Sequence, residues 1–424
     1  MEQGTGKTLV ALKIVGNLYK KGLIKNLLIL APKSVLTVWE QELEDSFNIP
    51  YLIERDKETP LYPKKLKNRL YIGMANYESL KRFKGKSNKL KTFYDVVIAD
   101  ESHRIKNPNS IQSKQTYFLG RGASYRLALS GTPKGNSDYD FFAQYRFIND
   151  EIFGPKTSQA KKEYFDPCGY AGHDLVLKKD QQDKFYRLVN ENSFRITKAE
   201  ALELPEITEN IIPIPLDKKT MEYYTKLKED NILELKNAEI RADLAITLVT
   251  KLQQICCGFI YDENKEAINI GYNAKIEYLK DLLLDHSKEK IIIFCKYTHE
   301  IDLLVSNLKS KYKILTYDGR SANDEWRKFL SGKYDILITQ IKKGGTGLNL
   351  QIASTVIFFS LTYSYIDLSQ AKDRVHRNGQ KNKVTIYYLL AKNTIERNIY
   401  RALENKKEGA RLILDDYRLE LNAQ

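Results

Sequence analysis

The feature that most constrains the fold of this chain is an ordered series of short motifs. The first three are Gly4–Thr8, Asp100–His103 and Ser130–Pro133. Two more stand far downstream, at Gly344–Gly347 and at Gln370–Arg377. Any one of these motifs occurs by chance in unrelated proteins, so the order in which all five occur is the informative property.

Short runs rich in Val, Ile and Leu recur between helix-like stretches, which is the pattern of parallel strands buried on both faces. In the first part of the chain these runs are Asn26–Ala31, Leu70–Gly73, Asp95–Ala99 and Arg126–Ser130. In the later part they are Lys290–Cys295, Lys313–Tyr317, Asp335–Thr339, Thr355–Ser360 and Val384–Leu390. Several runs end at a motif, and open α/β sheets bind ligands at the carboxyl ends of their strands.

The segment between these two strand-rich parts has helical rather than alternating spacing, as in Lys218–Leu235. We therefore predict an α/β protein with two parallel-sheet lobes and a helical connecting region. The predicted domains are lobe one at 1–150, the helical connecting region at 151–270, lobe two at 271–400 and a C-terminal helix at 401–424.

The charge of the chain indicates an anionic partner. Lys and Arg number 68 against 54 Asp and Glu, which gives a formal net charge of +14. Nucleic acid is the favoured partner. A membrane surface is less favoured, since no apolar run approaches the roughly 20 residues needed to span a bilayer. Four cysteines in 424 residues do not make a disulfide framework, so we expect a soluble intracellular protein.

The first motif fits the end of a phosphate-binding loop. Gly4 and Gly6 would let backbone N–H groups approach phosphates, Lys7 would reach the outer phosphates, and the Thr8 hydroxyl would ligate Mg²⁺. The helix expected after it would point its positive end at the bound anion. Taken alone the signal is moderate, because the tripeptide Gly6-Lys7-Thr8 also occurs by chance in unrelated loops.

The second motif supplies carboxylates to the same edge of a sheet. An apolar strand delivers Asp100, which can hold Mg²⁺, and Glu101, which can polarise water. An ordinary acidic strand end is the alternative, and the lysine loop upstream makes it the weaker one.

Arg374 and Arg377 are three residues apart, so on a helix they share a face. Guanidinium groups offer planar donors that suit γ-phosphate oxygens. An arginine finger of this kind is worth roughly 10³ to 10⁵ in turnover. A solvated helix is the alternative, and without the other motifs it would be favoured.

Together the motifs resemble the Swi/Snf-type ATPases of helicase superfamily two, the motor subunits of chromatin remodellers and their bacterial and viral relatives. The resemblance covers nearly the whole chain. It is most specific in the stretches that begin at Gly344 and at Gln370, where Arg374–Gln380 is close to the family signature. Further matching segments lie at Leu27–Leu43, Asp100–Asn107, Leu127–Asn136, Ser193–Pro205, Leu252–Phe259 and Lys290–Asp302.

The resemblance implies two RecA-like lobes and an ATP-dependent motor that moves along double-stranded DNA. It places Lys7 and Thr8 on the phosphates and Mg²⁺, Asp100 on Mg²⁺, and Glu101 as the hydrolytic base. Catalytic residues implied for lobe two, across the cleft from the nucleotide, are Gln370, Arg374 and Arg377. Ser130 and Thr132 would couple hydrolysis to movement.

The resemblance also implies contacts with the backbone of duplex DNA. These are Lys33 and Ser34 in lobe one, and Lys296, Thr346 and Asn349 in lobe two. Such contacts position a protein without reading sequence. A strand-separating helicase and an ATP-silent DNA-binding protein remain alternatives.

In this family a strand and an adenine-reading glutamine segment lie upstream of the phosphate loop, whereas here nothing precedes Met1. We therefore expect a fragment or a misassigned start, lobe one truncated at its N-terminus, and weak ATP affinity in a nucleotide titration of this chain. We expect a monomer, and recruitment by protein partners is an open alternative. It would be cytoplasmic and nucleoid-associated if bacterial or viral, and nuclear if eukaryotic.

Overall fold

The computed structural model describes residues 1–56, 66–83, 94–135, 137–168, 174–237, 242–322, 324–345 and 348–405. Packing divides the chain into two compact units. We refer to Met1–Leu202 as unit one and to Glu203–Gln424 as unit two.

Unit one is built on an open sheet of five parallel strands. The strands are β1 (Asn26–Ala31), β2 (Tyr51–Arg55), β3 (Leu70–Asn76), β4 (Val96–Asp100) and β5 (Tyr125–Leu129). Their spatial order is β2-β3-β1-β4-β5, and every neighbouring pair is parallel. All five carboxyl ends therefore lie along one edge of the sheet.

Helices cover both faces of this sheet because alternate side chains of a strand point to opposite faces. Leu27 and Ile29 belong to one hydrophobic core and Leu28 and Leu30 to another. The helices of unit one are α1 (Lys7–Lys20), α2 (Lys33–Ser46), α3 (Ile111–Arg121), α4 (Asp140–Ile148), α5 (Thr157–Tyr164), α6 (Gln182–Glu191) and α7 (Lys198–Ala201). Short 3₁₀ helices lie at Tyr77–Phe83, Ser102–Ile105 and Lys179–Gln181, and β6 (Phe165–Cys168) pairs antiparallel with β7 (Asp174–Leu177).

Unit two contains a six-stranded parallel sheet. Its strands are β8 (Ile207–Ile214), β11 (Ile291–Cys295), β12 (Ile314–Tyr317), β13 (Ile336–Gln340), β14 (Thr355–Phe358) and β15 (Val384–Ala391). Their spatial order is β12-β13-β11-β14-β15-β8. A separate antiparallel pair consists of β9 (Phe259–Tyr261) and β10 (Ala267–Asn269).

The helices of unit two pack on both faces of this sheet and form two hydrophobic cores. They are α8 (Lys218–Asn237), α9 (Ala242–Cys256), α10 (Ala274–Asp285), α11 (Thr298–Leu308), α12 (Arg327–Leu330), α13 (Ile341–Gly344), α14 (Tyr365–Asp373) and α15 (Ile395–Glu404). Within the described ranges, no helix is long and apolar enough to cross a bilayer.

The nine strands predicted from apolar runs all form, with ends shifted by no more than three residues and with Asn26–Ala31 not shifted at all. The edge strands β2 and β8 were not predicted. The strand β8 lies within 151–270, the range predicted as a helical connecting region, so the division into four domains stays a prediction. Of the predicted C-terminal helix at 401–424, residues 406–424 lie outside the described residues.

Candidate nucleotide-binding site

The loop before α1 has the backbone of an anion site. Gly4 and Gly6 have φ angles of 81° and 82°, in the left-handed region that glycine adopts at little cost. Gly6 immediately precedes Lys7, the first residue of a 14-residue helix. The N–H groups of the first turn and the positive dipole end of α1 therefore face the loop, as a phosphate requires.

The ammonium of Lys7 is held by its own loop. Its Nζ donates to the carbonyl oxygen of Glu2 at 3.0 Å and to that of Met1 at 3.4 Å. Phosphate oxygens form stronger, charge-assisted hydrogen bonds with an ammonium than neutral carbonyls do. The lysine is thus kept at the loop by partners that a triphosphate can replace.

Asp100 ends β4 and is buried with both carboxylate oxygens bonded. Its Oδ2 accepts from Trp39 Nε1 at 2.8 Å, and its Oδ1 accepts from the backbone N–H of Glu101 at 2.9 Å. Burial and the adjacent Glu101 raise the pKa of Asp100 to about 6, while Trp39 and Lys7 act to lower it. The charge of Lys7 therefore lies close to this carboxylate.

Glu101 adopts a backbone conformation that is uncommon for a residue other than glycine. Its φ is 49°. Such conformations cost free energy and are concentrated at functional sites. The turn that results points the chain into the 3₁₀ helix at Ser102–Ile105, and His103 Nδ1 lies 3.4 Å from Glu101 Oε2.

The third motif contacts the phosphate loop directly. Gly131 follows β5, the neighbour of β4, and a Cβ atom added to it would lie 2.5 Å from Gln3 Cγ and 3.4 Å from Lys7 Nζ. The Ser130 hydroxyl accepts from the N–H of Thr132 at 3.1 Å. The phosphate loop, the acidic pair and the third motif thus meet at the carboxyl edge of the unit one sheet.

The two residues of unit one predicted to contact DNA begin α2. Lys33 is exposed and Ser34 is half-buried, directly after the carboxyl end of β1. Their place at a helix N-terminus suits an anion. Contact of Lys33 and Ser34 with DNA stays a prediction.

In unit two the predicted catalytic residues lie on and just after α14. Gln370 is buried within the helix. Arg374 Nε donates to the carbonyl oxygen of Gly345 at 2.9 Å, and Arg377 Nη1 donates to that of Leu348 at 3.2 Å. Both guanidinium groups thus bond the main chain of the fourth motif and its continuation.

The environment of Arg377 is unfavourable for its charge. Burial and the neighbouring Arg374 lower the pKa of Arg377. Its Nε atom is buried, with no hydrogen-bond partner in the described part of the chain. A negatively charged group would relieve both the repulsion and the unmet donor.

Lys296 follows β11, but its ammonium is turned onto neighbouring side chains of unit two. Its Nζ donates to Gln253 Oε1 at 2.7 Å and lies 3.1 Å from the ring centroid of Tyr363. Burial lowers the pKa of Lys296 to about 7. Asn349 Oδ1 is buried without a partner among the described residues, and Thr346 lies outside them. All three predicted DNA contacts stay predictions.

Two polar residues of the site were missed from the sequence. Trp39 is fully buried, and its indole N–H bonds Asp100. Gln144 is buried beside the acidic pair. No motif marks either residue, because each reaches the site from a helix distant in sequence.

Two family models match the chain. Residues 1–259 match the SNF2-related domain, and residues 274–379 match the helicase conserved C-terminal domain. An uncharacterized ATP-dependent helicase of Mycoplasma genitalium is 30% identical over 425 residues, which cover 96% of this chain and 39% of that protein. The chromatin structure-remodeling complex subunit snf21 of Schizosaccharomyces pombe is 26% identical over 443 residues, which cover 96% of this chain and 36% of that protein.

The chain thus spans less than two fifths of the length of these two relatives. Among solved structures, the Sulfolobus solfataricus SWI2/SNF2 ATPase core in complex with dsDNA has a TM-score of 0.43 and 23% sequence identity. That similarity covers 98% of this chain and 86% of the other.

Proposed function

Since this chain belongs to the SNF2-related family, as its motifs indicated, we propose that it hydrolyses ATP and uses the energy to move along duplex DNA. The similar proteins of Mycoplasma genitalium and Schizosaccharomyces pombe are named as an ATP-dependent helicase and a chromatin-remodeling subunit. Both names are consistent with ATP use and with a DNA substrate.

The observation that carries the proposal is the convergence of three motifs in unit one. Lys7 Nζ would lie 3.4 Å from a Cβ atom added at Gly131, and the charge of Lys7 acts to lower the pKa of Asp100. A phosphate-binding lysine and a pair of carboxylates, with a loop that lies beside both, are parts suited to phosphoryl transfer to water.

Each residue has a role that its chemistry supports. Gly4 and Gly6 would let the loop approach the phosphates, and Lys7 would neutralise the outer ones. Glu101 would orient and polarise the attacking water.

Mg²⁺ fits the same residues. Asp100 and Glu101 are adjacent buried carboxylates, and their repulsion favours a cation between them and the phosphates. Thr8 and Asp100 would hold the ion, which supplies charge neutralisation to the triphosphate when bound. Among the described residues, no cluster of three or more His, Cys, Asp or Glu side chains that could hold a metal occurs.

For unit two, we propose that Arg374 and Arg377 stabilise negative charge as it develops on the γ-phosphate, with Gln370 supporting them. The buried Nε donor of Arg377 without a partner among the described residues supports this role. The net charge of +14 and the exposed Lys33 support binding to the DNA backbone.

The test is ATP turnover measured with and without duplex DNA. We expect duplex DNA to stimulate the parent, and Lys7→Ala and Arg377→Ala to abolish the stimulated rate. Lys13→Ala and Arg397→Ala are matched controls, because both residues are exposed. Lys13 lies less than two helical turns after Lys7 on α1, and Arg397 lies on α15 rather than on α14. If Lys7→Ala and Arg377→Ala hydrolyse ATP like the parent, the assignment of the ATP site is wrong.

A strand-displacement assay is a separate experiment, which distinguishes translocation along duplex DNA from strand separation.

A further inference from the structure

Gln144 lies between two motifs of unit one and uses every polar atom of its side chain. It belongs to α4 and is 2% exposed. Its Oε1 accepts from the Ser102 hydroxyl at 2.7 Å, and its Nε2 donates to the carbonyl oxygen of Pro133 at 2.6 Å and to that of Asp140 at 2.8 Å. The amide therefore connects the acidic motif to the third motif.

The two partners of Gln144 outside its own helix are adjacent to the parts of the site that must hold their positions. Ser102 follows Glu101, whose backbone is held in the left-handed region. Pro133 is two residues from Gly131, which contacts the phosphate loop. Hydrogen bonds and van der Waals contacts thus run from the acidic pair through Gln144 and the third motif to the loop.

The helix that carries Gln144 is fixed to the same loop by a second contact. Asp140 Oδ2 accepts from the N–H of Gly135 at 2.9 Å and lies 3.6 Å from Lys106 Nζ. With α4 held at its first turn, the Gln144 amide has little freedom to follow one motif without moving the other.

The chemistry of this position requires an amide. A glutamate would still accept from Ser102, but it would set a carboxylate against the carbonyl oxygens of Pro133 and Asp140. A leucine of similar volume would leave a buried hydroxyl and a buried carbonyl without their partner, and such orphaned groups pull a local structure away from its native geometry.

We propose that Gln144 is a positioning residue for ATP hydrolysis, which sets the distance between the Glu101 carboxylate and the phosphate loop. The proposal rests on the function proposed above. Gln144 bonds Ser102, Pro133 and Asp140 rather than the phosphate loop, so its loss should slow the chemical step rather than weaken binding.

The test compares Gln144→Leu with Gln115→Leu in the full chain. Gln115 is also a buried glutamine of unit one, 6% exposed on α3, and it bonds neither motif through a hydrogen bond in the described structure. We expect Gln144→Leu to lower the DNA-stimulated kcat by about 10- to 100-fold, as misplacement of a catalytic group does, with a much smaller change in KM for ATP. Gln115→Leu should keep the parental kcat. Thermal unfolding of both variants shows whether the loss exceeds a general loss of stability.

A double-mutant cycle with Ser102 tests the connection itself. Ser102→Ala should lower kcat in the parent but have little further effect in Gln144→Leu, since the two residues act through one hydrogen bond. Ser102→Thr, which keeps the hydroxyl, should restore most of the rate. Independent, additive effects of Ser102→Ala and Gln144→Leu would overturn the proposal.

The outcomes separate this proposal from the proposed function. If the parent hydrolyses ATP and Gln144→Leu has the parental kcat, or loses no more than Gln115→Leu at equal stability, the positioning role is refuted and the function stands. If the parent shows no turnover, the proposed function fails. Hydrogen exchange then tests the positioning role by itself. Mg·ADP should protect the Gly135 amide in the parent and not in Gln144→Leu. Equal protection in the two proteins, or protection in neither, refutes the positioning role.

Discussion

A side chain added at Gly131 would clash with Gln3, beside the phosphate loop. A Cβ atom there would lie 2.5 Å from Gln3 Cγ, which is closer than real Cβ atoms approach their neighbours, and 3.1 Å from the Gln3 backbone nitrogen, which is tighter than nine in ten real Cβ contacts. Because backbone cannot move aside cheaply, we expect Gly131→Ala to displace the loop and to weaken ATP binding by about tenfold or more. Fluorescence titration with a labelled nucleotide measures the change.

Gly319 provides the matched control. It lies in unit two, its nearest neighbour to a new Cβ is 3.9 Å away, and its φ is not in the left-handed region. We expect Gly319→Ala to bind nucleotide like the parent. Parental affinity in Gly131→Ala would show that the loop does not need its contact with the third motif.

The raised pKa of Asp100 predicts a pH dependence of Mg²⁺-dependent nucleotide binding. The carboxyl takes up a proton as the pH falls through about 6, and a protonated Asp100 is a poor ligand for Mg²⁺. We expect the affinity for Mg·ADP to fall below that pH. Glu101→Gln removes a repelling charge, which lowers the pKa of Asp100, so the loss should move to lower pH.

Calorimetric titrations between about pH 5 and about pH 8 measure this shift. Glu151→Gln, which changes an exposed carboxylate of the same unit, should leave the pH dependence unchanged. An unmoved midpoint in Glu101→Gln would mean that the acid limb belongs to a group other than Asp100.

Motif spacing predicted the site residues that bear charge, and packing determined the residues that hold them. Lys7, Asp100 and Glu101 are recognisable because their chemistry needs fixed residue types next to a loop or a strand end. Trp39 and Gln144 reach the site from 61 and 42 residues away in sequence. Contacts of that kind depend on how helices pack on the sheet, which periodicity does not specify.

A fully buried ion pair fixes the last described helix of unit two. Lys275 at the start of α10 and Glu396 at the start of α15 approach to 2.6 Å, and neither side chain is exposed. Lys275 also donates to the carbonyl oxygen of Phe359, and Glu396 accepts from the N–H of Ala391. We expect Lys275→Met to destabilise the protein by about 3–5 kcal/mol in urea unfolding, because a buried carboxylate is left without its partner.

The double variant Lys275→Met with Glu396→Gln should be more stable than Lys275→Met alone, since the buried charge is removed while the bond from Ala391 is kept. The exposed pair of Lys280 and Glu277 is the control, and Lys280→Met should cost about 0–1 kcal/mol. Equal costs for Lys275→Met and Lys280→Met would contradict this account of the pair.

Strands at the centre of each sheet were predictable and strands at two edges were not. Central strands such as β1 and β11 are buried on both faces and read as continuous apolar runs. The strand β8 instead mixes Glu, Asn and Pro with isoleucines, as an edge strand can. Among the described strands its neighbour is β15, which begins 170 residues after the last residue of β8. No local pattern indicates a pairing over that separation.

For the whole molecule, the excess of basic residues predicts how it should bind DNA. With a net charge of +14, duplex binding should weaken steeply with salt and vary little between unrelated sequences, because phosphate contacts release counterions without reading bases. Each phosphate contact contributes about 0.9 to the slope of log binding constant against log salt.

Lys33 tests this at a defined position. Its side chain is exposed at the start of α2, so it can meet a phosphate without disturbing the core. We expect Lys33→Ala to make the slope shallower by about 0.9 for every duplex tested, as measured by fluorescence anisotropy over a salt series. Lys328→Ala, which removes an exposed lysine already paired with Glu325 at 3.1 Å, should keep the parental slope. Equal slopes for the parent and Lys33→Ala would place the duplex on another part of the surface.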